Sequence, residues 1–152
     1  MDTTKQIQML QMAYAGALAD AALQFGKEGV LQQVTERKRL EQLATGKIRL
    51  GAFGITKPED VFLNLSEIFG CAQWEITDRT AEGFVARSST CKLCAVAKRI
   101  GAPSPCRLYC LDPMEGLLKA VKPDAGYMVE EMLWEGKKCS VRISGLRAKA
   151  YL

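Results

Sequence analysis

The chain contains no histidine. That absence removes the Ser-His and Cys-His pairs, the imidazole general base and every His-ligated zinc centre. No run of residues approaches the roughly 18 uninterrupted apolar positions of a membrane span, so no membrane partner is expected. A secretory signal is not expected either. Gln6, Gln8 and Gln11 break the first apolar run, and Asp2 stands where a basic region belongs. Charge of one sign is also scarce: the net charge is +4, and the run from Glu36 to Arg39 mixes both signs. Such a run is a solvated helix face, and no nucleic-acid partner is expected. Internal repeats and low-complexity linkers are missing, and 152 residues with 48% hydrophobic content predict one domain over 1–152.

What the chain does have is cysteine, six in all. Cys91 and Cys94 form a Cys-x-x-Cys, Cys106 and Cys110 a Cys-x-x-x-Cys, and Cys139 follows downstream. The expected location is cytoplasmic, where thiols stay reduced, so the clustered cysteines point to metal or redox chemistry before disulfides.

Hydrophobic spacing predicts helices through most of residues 1–70. Ile7, Leu10, Tyr14, Leu18, Ala21 and Phe25 step by three and four, behind Asp2 or Thr3 as N-cap. Gly26 and Gly29 predict a break, a second helix spans 30–44 and stops near Gly46, and Thr56 with Glu59 reads as a capping box for a third. Residues 71–152 form the cysteine-rich half. Strands are expected at 74–80 and 84–88, and again at 127–134 and 138–144, each pair closed by a glycine-bearing turn. Between the hairpins, the Ser88–Thr90 stretch caps a helix carrying Cys91 and Cys94. Ser104 and Pro105 start one with Cys106 and Cys110, and Asp112 caps another. The fold class is therefore α+β, an antiparallel sheet of about four strands packed by helices. The apolar stripe of the first helix and its alanines predict a self-association surface and a homodimer.

Residues three or four apart share a helix face, so both cysteine pairs can converge if residues 101–105 reverse the chain. Three readings follow. Cys91, Cys94, Cys106 and Cys110 are ligands of zinc or an iron–sulfur cluster, or they form a metal-free thiol site, or they are small buried hydrophobes. Cys91, near a helix N-terminus beside Lys92, is favoured as a thiolate. Cys139 shares a strand face with Val141 and Ile143 and reads as a core thiol. Asp112 reads as cap or as proton carrier. Glu130 and Glu131 interrupt an apolar strand, and a buried carboxylate there would serve as acid or base.

The last sixty residues, with Cys-x-x-Cys, Cys-x-x-x-Cys-x-Asp and Glu-Gly-x-x-Cys-x-Val-x-Ile, resemble the L-2-amino-thiazoline-4-carboxylic acid hydrolase-like family. The resemblance implies opening of a cyclic thiazoline C–N bond by water to give a carbamoyl-cysteine, and it covers Cys91, Cys94, Cys106, Cys110, Asp112 and Cys139. On this reading Cys106 or Cys110, or a metal-bound water, attacks the ring carbon. Asp112 or Glu130 moves the proton, Arg107 holds the substrate carboxylate, and Glu130 and Cys139 contact the substrate. Pro113 directly after Asp112 favours the capping role. The closing hairpin is also similar to vinyl-reductase-type small-molecule-binding domains, which implies the alternative of a non-catalytic ligand or metal sensor.

Overall fold

Asp2 accepts the backbone N–H of Lys5 at 2.9 Å and so opens helix α1, Thr3–Lys27. The computed structural model describes residues 1–147; the end of the single-domain expectation, residues 148–152, lies outside them. Within α1 the buried positions are Ala15, Ala19 and Ala22, and Ala19 and Ala22 pack against Leu93, Ala97 and Ala102. The start of the bulkier stripe faces outward instead, with Ile7 46% and Leu10 71% exposed, while Tyr14 stacks on Phe69 at 5.4 Å. Small side chains let two helices approach closely, and that fit outweighs the larger residues' hydrophobicity in selecting the packed face. Gly29, at φ +71°, allows the turn into the next helix.

Helix α2 spans Leu31–Ala52, running past the predicted stop near Gly46. Gly46 does not end the helix. A Cβ there would lie 2.7 Å from the carbonyl oxygen of Gly116, so this glycine lets α2 cross a later helix backbone to backbone. Gly46→Leu is expected to force the two helices apart and cost about 1–3 kcal/mol, read as a lowered midpoint in thermal unfolding. Helix α3, Pro58–Phe69, is capped at Lys57, and the reciprocal carboxylate is Asp60, which accepts the N–H groups of Thr56 and Lys57 at 3.0 and 3.2 Å. Glu59, the predicted capping partner of Thr56, instead pairs with Arg79 at 3.2 Å.

Four antiparallel strands follow the expected α+β plan: β1 Glu75–Thr77, β2 Phe84–Ser88, β3 Gly126–Glu131 and β4 Cys139–Ser144, in the order β1-β2-β4-β3. The two hairpins join through β2 and β4, with Ala86 opposite Val141 and Ser88 opposite Cys139. Strand β1 is shorter than predicted because Asp78 turns to φ +50°, outside extended geometry. Strand β3 slips register between Val129 and Glu131 and then ends; the Glu131 carboxylate accepts the N–H groups of Lys137 and Lys138, both at 3.0 Å, and closes the turn. Phe62 of α3 meets Trp74 and Phe84 edge-on at 5.4 and 5.9 Å, the aromatic centre of the core.

Helix α4 is Lys92–Arg99, and its N-cap is Cys91 itself rather than Ser88, Ser89 or Thr90. Further on, the two predicted helices are one. A π-turn, Arg107–Leu111, leads directly into α5, Asp112–Val121. Asp112 is therefore not a cap; its backbone is helical, and its N–H donates to Arg107 five residues back. Pro113 explains the widened turn. It lacks an N–H and crowds the carbonyl four residues earlier, and i→i+5 spacing relieves both problems. Among the described residues, no helix is long and apolar enough to cross a membrane.

Candidate functional site

Backbone pairing assembles the thiols. After α3, Cys71 accepts the N–H of Lys92 at 2.8 Å, and Ala72 bridges Cys91 in antiparallel fashion, which brings residues 71 and 91 side by side. Cys91 stays extended, and its Sγ accepts the Cys94 N–H at 3.4 Å as the cap of α4. Gly101, at φ +74°, begins the reversal that returns the chain to the π-turn. There the Cys106 Sγ lies 3.5 Å from the Cys94 Sγ. Cys110 follows on the π-turn, and Cys139 at the start of β4 accepts the Leu133 N–H at 3.3 Å.

Three of these thiols share protons. The side-chain hydrogen bond of Cys94 with Cys106, and next that with Cys91, push the Cys94 pKa far up. Cys91 is pulled down to about 6, first by that hydrogen bond and further by the N–H groups of Cys94 and Leu93, against the opposing effect of burial. Cys106 falls to about 7, again through Cys94 first, with help from Ser104. One S–H serves one acceptor at a time, so Cys91 and Cys106 compete for it and the trio carries a shared thiolate charge. Burial acts the other way on the rest. It pushes Cys110 well up, and Cys71 and Cys139 each to about 11.

Cys91 lines a partly open cavity of about 230 Å³. This is smaller than the roughly 300–1,000 Å³ of drug-sized ligand sites, so it suits a small molecule. Its walls are mostly apolar, with Leu18, Leu65, Phe69, Trp74, Leu93 and Leu108 among them. The polar groups are few: Cys71, Cys91 and Cys110, the phenols of Tyr14 and Tyr109, and Lys38, Gln42 and Arg49 of α2. Burial raises both phenols, so they stay protonated.

Of the catalytic, substrate-binding and metal-ligand candidates from the sequence, Cys91 and Cys110 line this cavity. Cys94 and Cys106 touch each other beside it. Asp112 is buried, 5% exposed, with Arg107 at 3.7 Å, and burial raises its carboxyl despite that guanidinium. Arg107 is thus an ion-pair partner away from the cavity. Glu130 pairs with Arg142 at 3.3 Å on the outer face of the hairpin. Cys139 lies in the core below Leu133. Among the described residues, no group of three or more His, Cys, Asp or Glu side chains is arranged to hold a metal ion.

The sequence reading missed Cys71, which carries no local signal because its place depends on pairing with Cys91. It also missed the α2 wall. Lys38, Gln42 and Arg49 fall within about 40° of one another around a helix, a pattern visible only if the helix continues past Gly46. Comparison with protein-family models, with curated proteins and with solved structures gives no match.

Proposed function

We propose that the protein is a thiol hydrolase that opens the cyclic C–N bond of a small amino acid-like thiazoline, the activity implied by its resemblance to L-2-amino-thiazoline-4-carboxylic acid hydrolases. The observation that carries this reading is the Cys91 thiol, its pKa drawn down to about 6, on the wall of a small and largely apolar cavity. A thiolate present at neutral pH is the attacking form of cysteine. In this reading Cys91 replaces Cys106 and Cys110 as nucleophile.

The Cys91 thiolate adds to the amidine carbon of the protonated ring, forming a C–S bond as the C=N electron pair moves to the ring nitrogen. The exocyclic nitrogen's lone pair then expels the ring nitrogen, which takes a proton and leaves as an amine. Cys110, kept protonated by burial beside Cys91, is the donor on the cavity wall. Water adds to the enzyme-bound carbon and returns a proton to Cys110, Cys91 departs as thiolate, and a carbamoyl-cysteine is released. The net reaction consumes one water, with the thiolate regenerated.

The test is incubation of the purified protein with 2-amino-thiazoline-4-carboxylate, with product followed by mass spectrometry and the protein's metal content measured in parallel. Carbamoyl-cysteine formed by metal-free protein, with a transient adduct on the Cys91 peptide, is the expected result. A second reading is a ligand or metal sensor of the vinyl-reductase type. The Cys94–Cys106 contact at 3.5 Å favours it, since adjacent thiols suit soft metals such as zinc or iron in a cluster. Stoichiometric metal and no turnover would replace the hydrolase reading with that one.

A further inference from the structure

Helix α2 presents three polar side chains to the same cavity as the thiols, and none of them is fully used within the fold. Arg49 takes part in no ion pair among the described residues; its guanidinium stacks over Phe53, 5.5 Å from the ring centroid. The Gln42 Oε1 is buried with no hydrogen-bond partner. Lys38 has only a loose contact with Glu41, at 3.9 Å. An orphaned acceptor and an unneutralised cation on one wall of an apolar cavity are both costly unless a ligand completes them.

We propose that this α2 wall is the recognition surface for a small carboxylic acid bearing an N–H donor, with Arg49 holding the carboxylate and Gln42 Oε1 accepting the N–H. The proposal rests on the cavity being the substrate site of the hydrolase reading, and it supplies the residues that would recognise the substrate's acid end. A guanidinium pairs with a carboxylate through two parallel N–H···O bonds, which fixes the acid's orientation as well as its charge. The amide oxygen then selects among acids for one with a donor at the neighbouring position. Lys38, one turn before Gln42, adds a second positive charge at the mouth, where its 40% side-chain exposure leaves it hydrated. The placement orients such a ligand with its acid end on α2 and its remaining atoms toward Cys91.

Two alkylating agents of nearly equal size read this directly. Iodoacetate and iodoacetamide each lose iodide as the thiolate forms a C–S bond to the methylene carbon; the first carries a carboxylate where the second carries a neutral carboxamide. The rate of modification of the Cys91 peptide is followed by mass spectrometry, with glutathione as the reference thiol under the same conditions. The iodoacetate-to-iodoacetamide rate ratio at Cys91 is expected to exceed that of glutathione by about tenfold, the scale of one charge-assisted pair. Arg49→Met should bring the ratio to the glutathione value, and Arg49→Lys should retain part of the excess. On the unmodified protein, L-alanine should protect Cys91 from iodoacetamide better than either propionate or L-alaninamide, and Gln42→Leu should erase the advantage over propionate. A wild-type ratio equal to that of glutathione, or equal protection by the three compounds, overturns the recognition wall. Fast iodoacetamide reaction in that case leaves the Cys91 nucleophile standing. A preserved ratio with a slow, ordinary thiol would instead remove Cys91 as nucleophile and keep the wall.

Discussion

Cys91→Ala is expected to lower thiazoline ring opening by at least ~10³-fold, the usual consequence of deleting a covalent nucleophile. The alanine variant also loses the side-chain acceptor that caps α4, which costs about 1 kcal/mol of stability, so it confounds two effects. Cys91→Ser separates them. A serine hydroxyl still accepts the Cys94 N–H that the thiol now receives at 3.4 Å, so the helix start is kept. It does not ionise near neutral pH, so the nucleophile is lost all the same. Both variants should be equally inactive, while the serine variant unfolds closer to the wild-type temperature. Turnover assays paired with thermal melts check this. Serine-variant activity within tenfold of wild type would mean that the thiolate is not the attacking group.

Phe62→Ala is expected to destabilise the fold by about 3–5 kcal/mol, the range for removing a fully buried aromatic side chain. Phe62 has no exposed surface, and it packs edge-on against Trp74 and Phe84, so deletion leaves a void between α3 and the sheet that neighbours cannot easily refill. At roughly 2–4 °C per kcal/mol for a chain of this size, the melting temperature should fall by about 10 °C. Trp74 also lines the thiol cavity, so the loosened packing reaches the site. Calorimetry of the variant checks the magnitude, and a loss below about 1 kcal/mol would contradict a close-packed aromatic centre.

Strands and their faces were legible wherever residues alternate. Cys139, Val141 and Ile143 are the buried face of β4, as period-two alternation requires, although Ser140 is buried as well. Helices were legible as helices, but glycine and proline misled about their limits. Gly46 looks like a stop and is a point of close crossing; Asp112 with Pro113 looks like a helix start and sits inside a continuous helix with a π-turn. Those outcomes depend on a backbone approaching from elsewhere, which no local pattern encodes. The same holds for α1, where alanines rather than the larger stripe face α4. At the site, the thiolate character of Cys91 follows from its place near a helix N-terminus, whereas its role as the cap itself, in place of Ser88–Thr90, does not. The cavity does not follow from local spacing either, because Tyr14, Gln42, Cys71, Cys91 and Cys110 come from five separate stretches joined only by tertiary packing.

The most direct test of the central claim is the pH dependence of Cys91 alkylation by iodoacetamide, read at the Cys91 peptide by mass spectrometry. The thiolate is the reacting form, so the rate rises with pH as the thiol deprotonates and levels off above its pKa. With the Cys94 hydrogen bond and two backbone N–H groups stabilising the anion, the half-maximum should fall near about 6. Cys94→Ala, which removes the first of these, should move it upward toward the value of about 8.5 for a free thiol. A wild-type half-maximum at or above about 8.5 would contradict the account, because Cys91 would then be an ordinary thiol at neutral pH.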